Sequence, residues 1–433
     1  MEEGADAAAK QVWRPGVDQL EDGETLEYDP SAYVMYHSMR MEWPCLSFDI
    51  LRDSYGNGRH RFPLSMFLVA GSQADRADKN KLTILKLSDL HKTQVHPGTA
   101  ELPITMQFEA DLTDEHSDDD NVDEDPTLEH IHVPHHGAVN RVRAMPQNSG
   151  IIGTMAETGH AHIFDVNAAL KGMMQGAGPR PSPPSGPVYT FSGHKEEGYA
   201  IDWSPVQAGR LATGDCAGAI HVWNPTAAAG TASWQVDPVS YSGHTSSVED
   251  LQWSPTEATV FCSASADRSV KVWDVRGRSG PQLSVNAHDS DVNVISWNKK
   301  VSYLLASGSD DGSFKVWDLR AVRENAPPLA HFRYHRGPIT SVEWAPHDES
   351  ILCVSSADNQ VTIWDLSVEA DEETMLSSDG GTMNEFPPQL LFIHQGQNNV
   401  KEVHFHPQIP GTILSTAEDS FNVFKPAITI ASS

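Results

Sequence analysis

The sequence predicts an all-β fold, a closed ring of seven similar sheets. Two observations predict it: a unit of fixed internal length recurs along the 433 residues, and the spacers between units vary freely in length. The landmarks are a His and a later aromatic. His135 to Phe164, His194 to Trp223, His244 to Trp273, His288 to Trp317 and His335 to Trp364 are each 29 residues apart, and His394 to Phe424 is 30. From one aromatic to the next the distance is instead 59, 50, 44, 47 and 60. Nine residues after the His stands a second landmark, Trp203, Trp253, Trp297 and Trp344. Within each unit, short β-branched and aromatic runs alternate with Gly, Ser and Asp turns, the signature of three antiparallel strands. A weaker seventh copy precedes the rest, at SMFLVAGS (65–72) and KLTILKL (81–87).

The endings HVWN (221–224), VKVWD (270–274), FKVWD (314–318) and VTIWD (361–365), each following an upstream His, resemble the WD-repeat family. The resemblance implies a seven-bladed β-propeller. Each repeat gives strands a, b and c of a blade, and the outer strand d arrives with the next connection. Ring closure is expected from the N-terminus. Only nine residues follow Phe424, whereas CLSFDILR (45–52) has a strand pattern and no partner ahead of the first blade. It is expected to supply strand d of blade 7 and remove an open edge. Before it, DPSAYVMYHSMRMEWP (29–44) predicts a helix: Asp29 suits an N-cap, Pro30 the first helical position and Pro44 the stop. The chain then divides into an acidic N-terminus (1–28), a helix (29–44) and the propeller (45–433), whose insert at 167–187 reads as a Pro-rich loop.

Ser, His and Asp recur in every complete repeat, which invites a hydrolase reading. Blade 4 has His244, Ser263, Ser265 and Asp267; blade 5 has His288, Ser307, Ser309 and Asp311; blade 6 has His335, Ser355, Ser356 and Asp358. A catalytic triad is a single site with an oxyanion hole. Three copies at one spacing are structural, and in WD-repeat proteins they resemble the Trp–Ser/Thr–His–Asp network that closes on Trp273, Trp317 and Trp364. No enzyme activity is expected. The group His130, His132, His135 and His136 lacks the converging fourth ligand of structural zinc, since His135 serves the repeat. No metal or cofactor is expected. Trp273-Asp274-Val275-Arg276 and Trp317-Asp318-Leu319-Arg320 resemble a motif of cullin-type ubiquitin-ligase substrate receptors, with Arg276 and Arg320 as adaptor contacts. Ordinary turn chemistry explains the same residues.

The formal charge is −29, from 30 Lys+Arg against 59 Asp+Glu, and the longest basic run is Lys299-Lys300. A nucleic-acid binder clusters cations to displace counterions, so direct nucleic-acid and anionic-membrane binding are not expected, and a cationic protein partner is. The cysteines Cys45, Cys216, Cys262 and Cys353 form no CxxC pair, which suits a reduced, intracellular compartment. Three segments hold the acid: 1–29 at net −7, 109–129 at −11 and 367–386 at −6, together −24 of the −29. In the second stand Asp118, Asp119, Asp120, Asp123, Glu124 and Asp125; in the third, Glu369, Asp371, Glu372, Glu373, Asp379 and Glu385. Acid runs are commonly just solvated loops. Propeller topology, however, brings all three out on one face, at blades 7, 1 and 6, neighbours in a closed ring.

The helix with its Glu42-Trp43-Pro44 junction, and the loop ending Pro387-Pro388 before Leu390-Leu391-Phe392, are similar to the retinoblastoma-associated histone-binding WD proteins. In that family a basic histone helix lies between these elements, which here would be Tyr33, Tyr36 and the 367–388 loop. TGDC (213–216), HTSSVEDLQWSPTE (244–257), AHDSDVNVISW (287–297) and LLFIHQG (390–396) resemble the glutamate-rich WD-repeat family of ribosome assembly. That resemblance implies a monomeric, nuclear or nucleolar chaperone for a newly made basic ribosomal protein, the third of the large subunit. The rival readings are a histone-binding assembly factor and a ligase substrate receptor.

Overall fold

A computed structural model describes residues 28–93, 105–106, 126–176, 182–226, 233–277, 280–323, 326–369 and 386–428. Each repeat forms a four-stranded antiparallel sheet, and blade 4 shows why. Strand a (Val248–Trp253), strand b (Val260–Ser265) and strand c (Ser269–Asp274) are short and β-branched, with tight Asp, Ser and Gly turns between them. Strand d (Leu283–Asn286) then pairs only with c and forms the outer edge. Seven such sheets occur, and the seventh carries a fifth strand. Both faces of each blade are covered by its neighbours, so the repeat aromatics Trp223, Trp273, Trp317 and Trp364 are all buried. No helix is long and apolar enough to cross a membrane among the described residues.

Three expectations are corrected here. The segment 45–52 is not strand d of blade 7. Its Phe48–Leu51 pairs with Leu64–Gly71 as strand a of blade 1, which therefore lacks nothing. The strand that completes blade 7 lies earlier, at Tyr33–Met39, antiparallel to strand c at Phe421–Pro426, from Tyr33 opposite Pro426 to Met39 opposite Phe421. Consequently the expected helix over 29–44 is absent. Asp29 and Pro30 do start a turn, with Asp29 accepting from Ser31 N–H at 2.9 Å, but it is a single 3-10 turn, Pro30–Ala32. The next residues bury alternately, Tyr33, Met35, His37 and Met39 inward, with a period of two rather than 3.6. The insert at 167–187 is also not wholly a loop: Asn167–Gln175 is a helix that seats Ala169, Leu170 and Met173 in the core under blades 1 and 2.

Inner strands of adjacent blades are splayed and share no backbone ladder. Side chains connect them. Asp49 accepts the N–H of Ala144 at 2.7 Å, Asp202 that of Trp253 at 2.7 Å, and Asp250 that of Ile295 at 2.9 Å. Glu343 accepts from Phe405 N–H at 2.7 Å, and Glu402 closes the circle by accepting from Phe48 N–H at 2.8 Å. Each clamp fills a buried donor that would otherwise stay unpaired.

Candidate partner-binding face

In each blade the a–b and c–d connections lie on one face. The described ends of the three acidic segments come out there. In blade 1, strand c runs out at Ser88, opposite Thr127 of strand d. In blade 6, strand c ends where Trp364 stands opposite Leu390. In blade 7, Tyr33 stands opposite Pro426, so the chain preceding Tyr33 enters at the same level. Blade 6 packs on blade 7 and blade 7 on blade 1 through their inner strands.

At the blade 6 connection the loop ends are tied together: Gln389 Nε2 donates to Val368 O at 3.0 Å and Leu390 N–H to Pro387 O at 2.9 Å. Glu369 is exposed, Pro387 half-buried and Pro388 exposed. Phe386, 39 % exposed, lies against the Tyr334 ring at 6.5 Å. Asp371, Glu372, Glu373, Asp379 and Glu385, and all of Asp118, Asp119, Asp120, Asp123, Glu124 and Asp125, lie outside the described residues.

The tyrosines divide in role. Tyr33 is buried and hydrogen-bonds His394 Nδ1 at 2.8 Å. Asn422 Nδ2 donates to His394 Nε2 at 3.0 Å and to the Tyr36 oxygen at 3.2 Å, and the His394 ring stacks on Phe424 at 4.0 Å. Tyr33 thus completes blade 7 much as Asp267 completes blade 4, and burial drives its phenol pKa far up. Tyr36 is half-buried, with its pKa raised to about 12 chiefly by burial, and it stacks on Tyr33 at 5.1 Å with Tyr28 edge-on at 5.2 Å. Phe392 of blade 6 meets Tyr33 edge-on at 5.4 Å. An aromatic strip therefore joins the closing strand to the outer strand of blade 6, whose Leu390, Leu391, Phe392 and Ile393 are all half-buried.

A feature the sequence did not disclose crosses this region. After strand c of blade 1, Thr93 and Thr105–Met106 lie along the free edge of the closing strand. Thr93 N–H donates to Val34 O at 3.1 Å, Tyr36 N–H donates to Thr93 Oγ1 at 2.8 Å, and Thr105–Met106 pairs in parallel with Ser38 and Met39. The acid-bearing connection of blade 1 thereby begins against blade 7.

The repeated polar sets sit away from this face and are internally satisfied. Trp273 Nε1–H donates to Ser263 Oγ at 2.8 Å, Ser263 bonds His244 Nε2 at 2.6 Å, and His244 Nδ1 bonds Asp267 at 2.8 Å. In blade 5 Ser307 joins Trp317 and His288, but Ser313 rather than Asp311 meets His288 Nδ1, at 3.1 Å. Asp311 instead accepts from Ser313 N–H at 2.9 Å. In blade 6 the hydroxyl is Thr362, not Ser355 or Ser356: it takes Trp364 Nε1–H at 2.8 Å and bonds His335 Nε2 at 2.9 Å, while His335 Nδ1 reaches Asp358 at 3.0 Å. His130 and His132 face the same way with rings 4.6 Å apart, and His132 bonds Thr83 at 3.1 Å. Among the described residues no group of three His, Cys, Asp or Glu side chains could hold a metal.

Arg276 and Arg320 lie on the c–d turns of blades 4 and 5, each with a double contact to the Asp of its own turn: Arg276 Nε to Asp274 at 3.0 Å, Arg320 Nη2 to Asp318 at 2.7 Å. Arg320 also lies flat over Tyr303, 3.4 Å from its centroid.

Sequence reading also missed a charged cluster on the central channel. Arg141 and Arg143 reach Glu402 at 3.1 and 2.6 Å, and His404 lies 3.1 Å from Glu343 and 3.5 Å from Glu402. Burial alone would push the His404 pKa down; the two carboxylates outweigh it and hold it at about 9. Burial would likewise raise Glu402, but Arg143, His404 and Arg141 hold it well below the usual range. One signal was available. The residue before each repeat's nine-position aromatic is polar in Asp202, Gln252, Ser296 and Glu343, and His404 precedes Phe405, the corresponding strand-a aromatic of blade 7, a regularity no solvent-facing strand requires.

Comparison with known proteins agrees with this architecture. A family model described as histone-binding protein RBBP4 or a CAF1 complex component matches residues 23–91. One described as WD domain, G-beta repeat, matches 237–274, 279–318 and 326–365, which are blades 4, 5 and 6. The Arabidopsis thaliana protein HEAT STRESS TOLERANT DWD 1 is 49% identical over 96% of this chain and 91% of its own length. Glutamate-rich WD repeat-containing protein 1 of Dictyostelium discoideum is 48% identical over 98% and 86%, and ribosome assembly protein rrb1 of Schizosaccharomyces pombe 44% identical over 98% and 86%. Identity of this order across the propeller and its N-terminal closing strand leaves one conclusion: the chain belongs to the WD-repeat family of glutamate-rich WD repeat-containing protein 1 and rrb1.

Proposed function

We propose that this chain is a non-enzymatic chaperone of ribosome assembly that holds a strongly basic protein, the third large-subunit ribosomal protein, in the nucleus or nucleolus. One observation carries the reading: the described ends of three segments with net charge −24 emerge on the same face of the neighbouring blades 6, 7 and 1. A polycation destined for RNA would otherwise bind RNA prematurely or precipitate, and an acidic sector masks it until delivery. Glu369, Asp371, Glu372, Glu373, Asp379 and Glu385, with Tyr36, Pro387 and Pro388, form the partner-facing side, and the acidic insert Asp118–Asp125 lends long-range attraction. Tyr33 acts from beneath, by fixing the closing strand. Family membership with a protein named for ribosome assembly supports the reading.

The match of residues 23–91 to a histone-binding family model favours histones as the second reading. The ligase-receptor reading rests on Arg276 and Arg320, whose double contacts to their own turn Asp residues are also ordinary turn chemistry. The test is affinity capture of the full chain from cells, with the stoichiometric partner identified by mass. The ribosomal protein is the expected outcome. Stoichiometric histones would select the second reading, and a ligase scaffold that disappears on Arg276→Ala with Arg320→Ala the third.

A further inference from the structure

Four exposed cations, Arg52, Arg61, Lys299 and Lys300, stand at the two ends of one arc. The a–b turns of blades 5, 6, 7 and 1 surround part of the channel mouth. Lys299 and Lys300 stand on the first of them, and Arg52, Arg59, His60 and Arg61 on the last. The turns are joined into a platform: Asn298 Nδ2 donates to Glu349 O at 2.9 Å, and Gln408 of blade 7 exchanges bonds with Asp53 at 2.9 and 3.0 Å. Nearby acids are largely committed. Asp53 pairs with Arg59 at 2.7 Å, and Asp348 caps its own turn by accepting from Ser350 N–H at 2.8 Å, leaving Glu349 as the exposed acid of the blade 6 turn.

Beneath the arc are buried donors with no acceptor among the described residues. His406 is 0 % exposed. Its Nδ1 accepts from the N–H groups of Gln408 and Ile409, at 3.0 and 3.1 Å, so the ring proton sits on Nε2, and Nε2 has no partner. Arg59 uses both terminal nitrogens, on Ser65 O and Asp53, and its Nε is likewise unpaired. Burial first, then Arg59, Arg52 and His347, lower the His406 pKa to about 3, which keeps it a neutral donor and places those groups within electrostatic reach of it. An unpaired buried donor is costly, and an oxyanion is the group that would satisfy several at once. Beside Arg59 the turn of blade 1 borders an open pocket lined by Asn57, Gly58, His60 and Arg61. Tyr55, 44 % exposed, and Tyr303, 37 % exposed, stand at the two ends of the arc.

We propose that this arc binds the phosphate backbone of single-stranded RNA, with Lys299 and Lys300 on phosphates at one end, Arg52 and Arg61 on phosphates at the other, and Tyr303 and Tyr55 offered to bases. Cation pairs on the outer two of four adjoining turns, each with an exposed tyrosine, match a strand that carries several phosphates and planar bases from one end of the arc to the other. A phosphopeptide presents a single phosphate and no base. Net charge argued against nucleic acid, but the acid that sets it is concentrated in three segments and the arc is locally basic. On the chaperone reading, one face then carries both a mask for a basic cargo and a contact for the RNA that receives it, although RNA binding stands without that reading.

The experiment is fluorescence anisotropy of a labelled single-stranded oligoribonucleotide on the full chain, from about 50 to 200 mM salt. The comparison is the quadruple variant Arg52→Ala, Arg61→Ala, Lys299→Ala, Lys300→Ala, all exposed and checked by thermal melt for an intact fold. Binding should weaken at least tenfold, and the salt slope should fall by about 0.7 for each phosphate no longer neutralised. The His406 ring nitrogen signals should move on adding the RNA to wild type. The proposal is overturned by no RNA binding in wild type, by equal binding in the variant, by an unmoved His406, or by a phosphopeptide that binds through these four residues where RNA does not.

Discussion

Every repeat tryptophan has two roles, and the chain of hydrogen bonds beginning at its indole nitrogen has a direction. His244 Nδ1 faces the Asp267 carboxylate and must carry the ring proton, so Nε2 accepts from Ser263, whose oxygen in turn accepts from Trp273. Burial raises the carboxyl pKa of Asp267, yet bonds from His244 and Ser269 outweigh it and hold it well below the usual range. Trp273→Ala or Trp317→Ala should cost about 3–5 kcal/mol from lost burial and a cavity. Ser263→Ala, which only unpairs two buried groups, should cost about 1–3 kcal/mol. Urea unfolding measures both, and an unchanged midpoint in either would remove the network from the stability of the blade. His404 gives a pH dependence of definite sign. Its folded pKa, about 9, exceeds the unfolded value, so its contribution is complete below about 6.5 and is lost as pH rises through 9. Glu402, depressed on folding, loses its contribution only as pH falls into the acid range. The urea midpoint of wild type should therefore decline between pH 6.5 and 9.5, and His404→Gln should flatten that decline. A parallel decline in both proteins would assign the effect elsewhere.

At the scale of elements, the closing strand decides whether the ring has an edge. Deleting 1–27 leaves every described strand in place and should leave a cooperatively melting monomer. Deleting 1–40 strips Tyr33–Met39 from Phe421–Pro426, removes the partner of His394 and exposes a long apolar edge, so aggregation is expected. Size-exclusion chromatography and a thermal melt decide it; a soluble, cooperative 41–433 fragment would show that blade 7 is stable with three strands. Repetition made most of this architecture legible. Blades 2 to 7 announced themselves through the fixed His-to-aromatic distance, since each must bury the same large ring in the same place. Unrepeated elements were misread. In 29–44 a good N-cap and a Pro outweighed the alternation of Tyr33, Met35, His37 and Met39, because a helical face through Tyr33, Tyr36 and Met39 was equally available. In 167–175 the apolar pairs Ala169–Leu170 and Met173–Met174 had helical spacing but were overshadowed by the Gly and Pro residues that follow. The acidic segments were plain from composition. The channel ion cluster was not, because Arg141, Arg143 and His404 come from different repeats and acquire meaning only when the ring brings them to Glu402.

For the whole molecule the question is whether acid scattered over the chain acts as one field. Ring closure places the ends of all three acidic segments on neighbouring blades, and a shared field of that kind acts on capture more than on residence. Neutralising Glu369, Asp371, Glu372 and Glu373 together should therefore weaken binding of the basic partner mainly through the on-rate. The loss should be large at low salt and shrink near 0.15 M, where the screening length is about 8 Å. Asp379 and Glu385 precede Phe386–Pro388 in sequence, where Phe386 packs on Tyr334 and Pro387 O accepts from Leu390 N–H. We propose that these two carboxylates pair with single Arg or Lys side chains that lose water on docking, and such contacts are screened less. Their replacement should persist at higher salt and appear in the off-rate. Surface plasmon resonance of both mutant sets against the purified basic partner, across a salt series, separates the two. Equal salt dependence in both sets, or no loss in either, would return these segments to solvated loops and take the sector out of the binding mechanism.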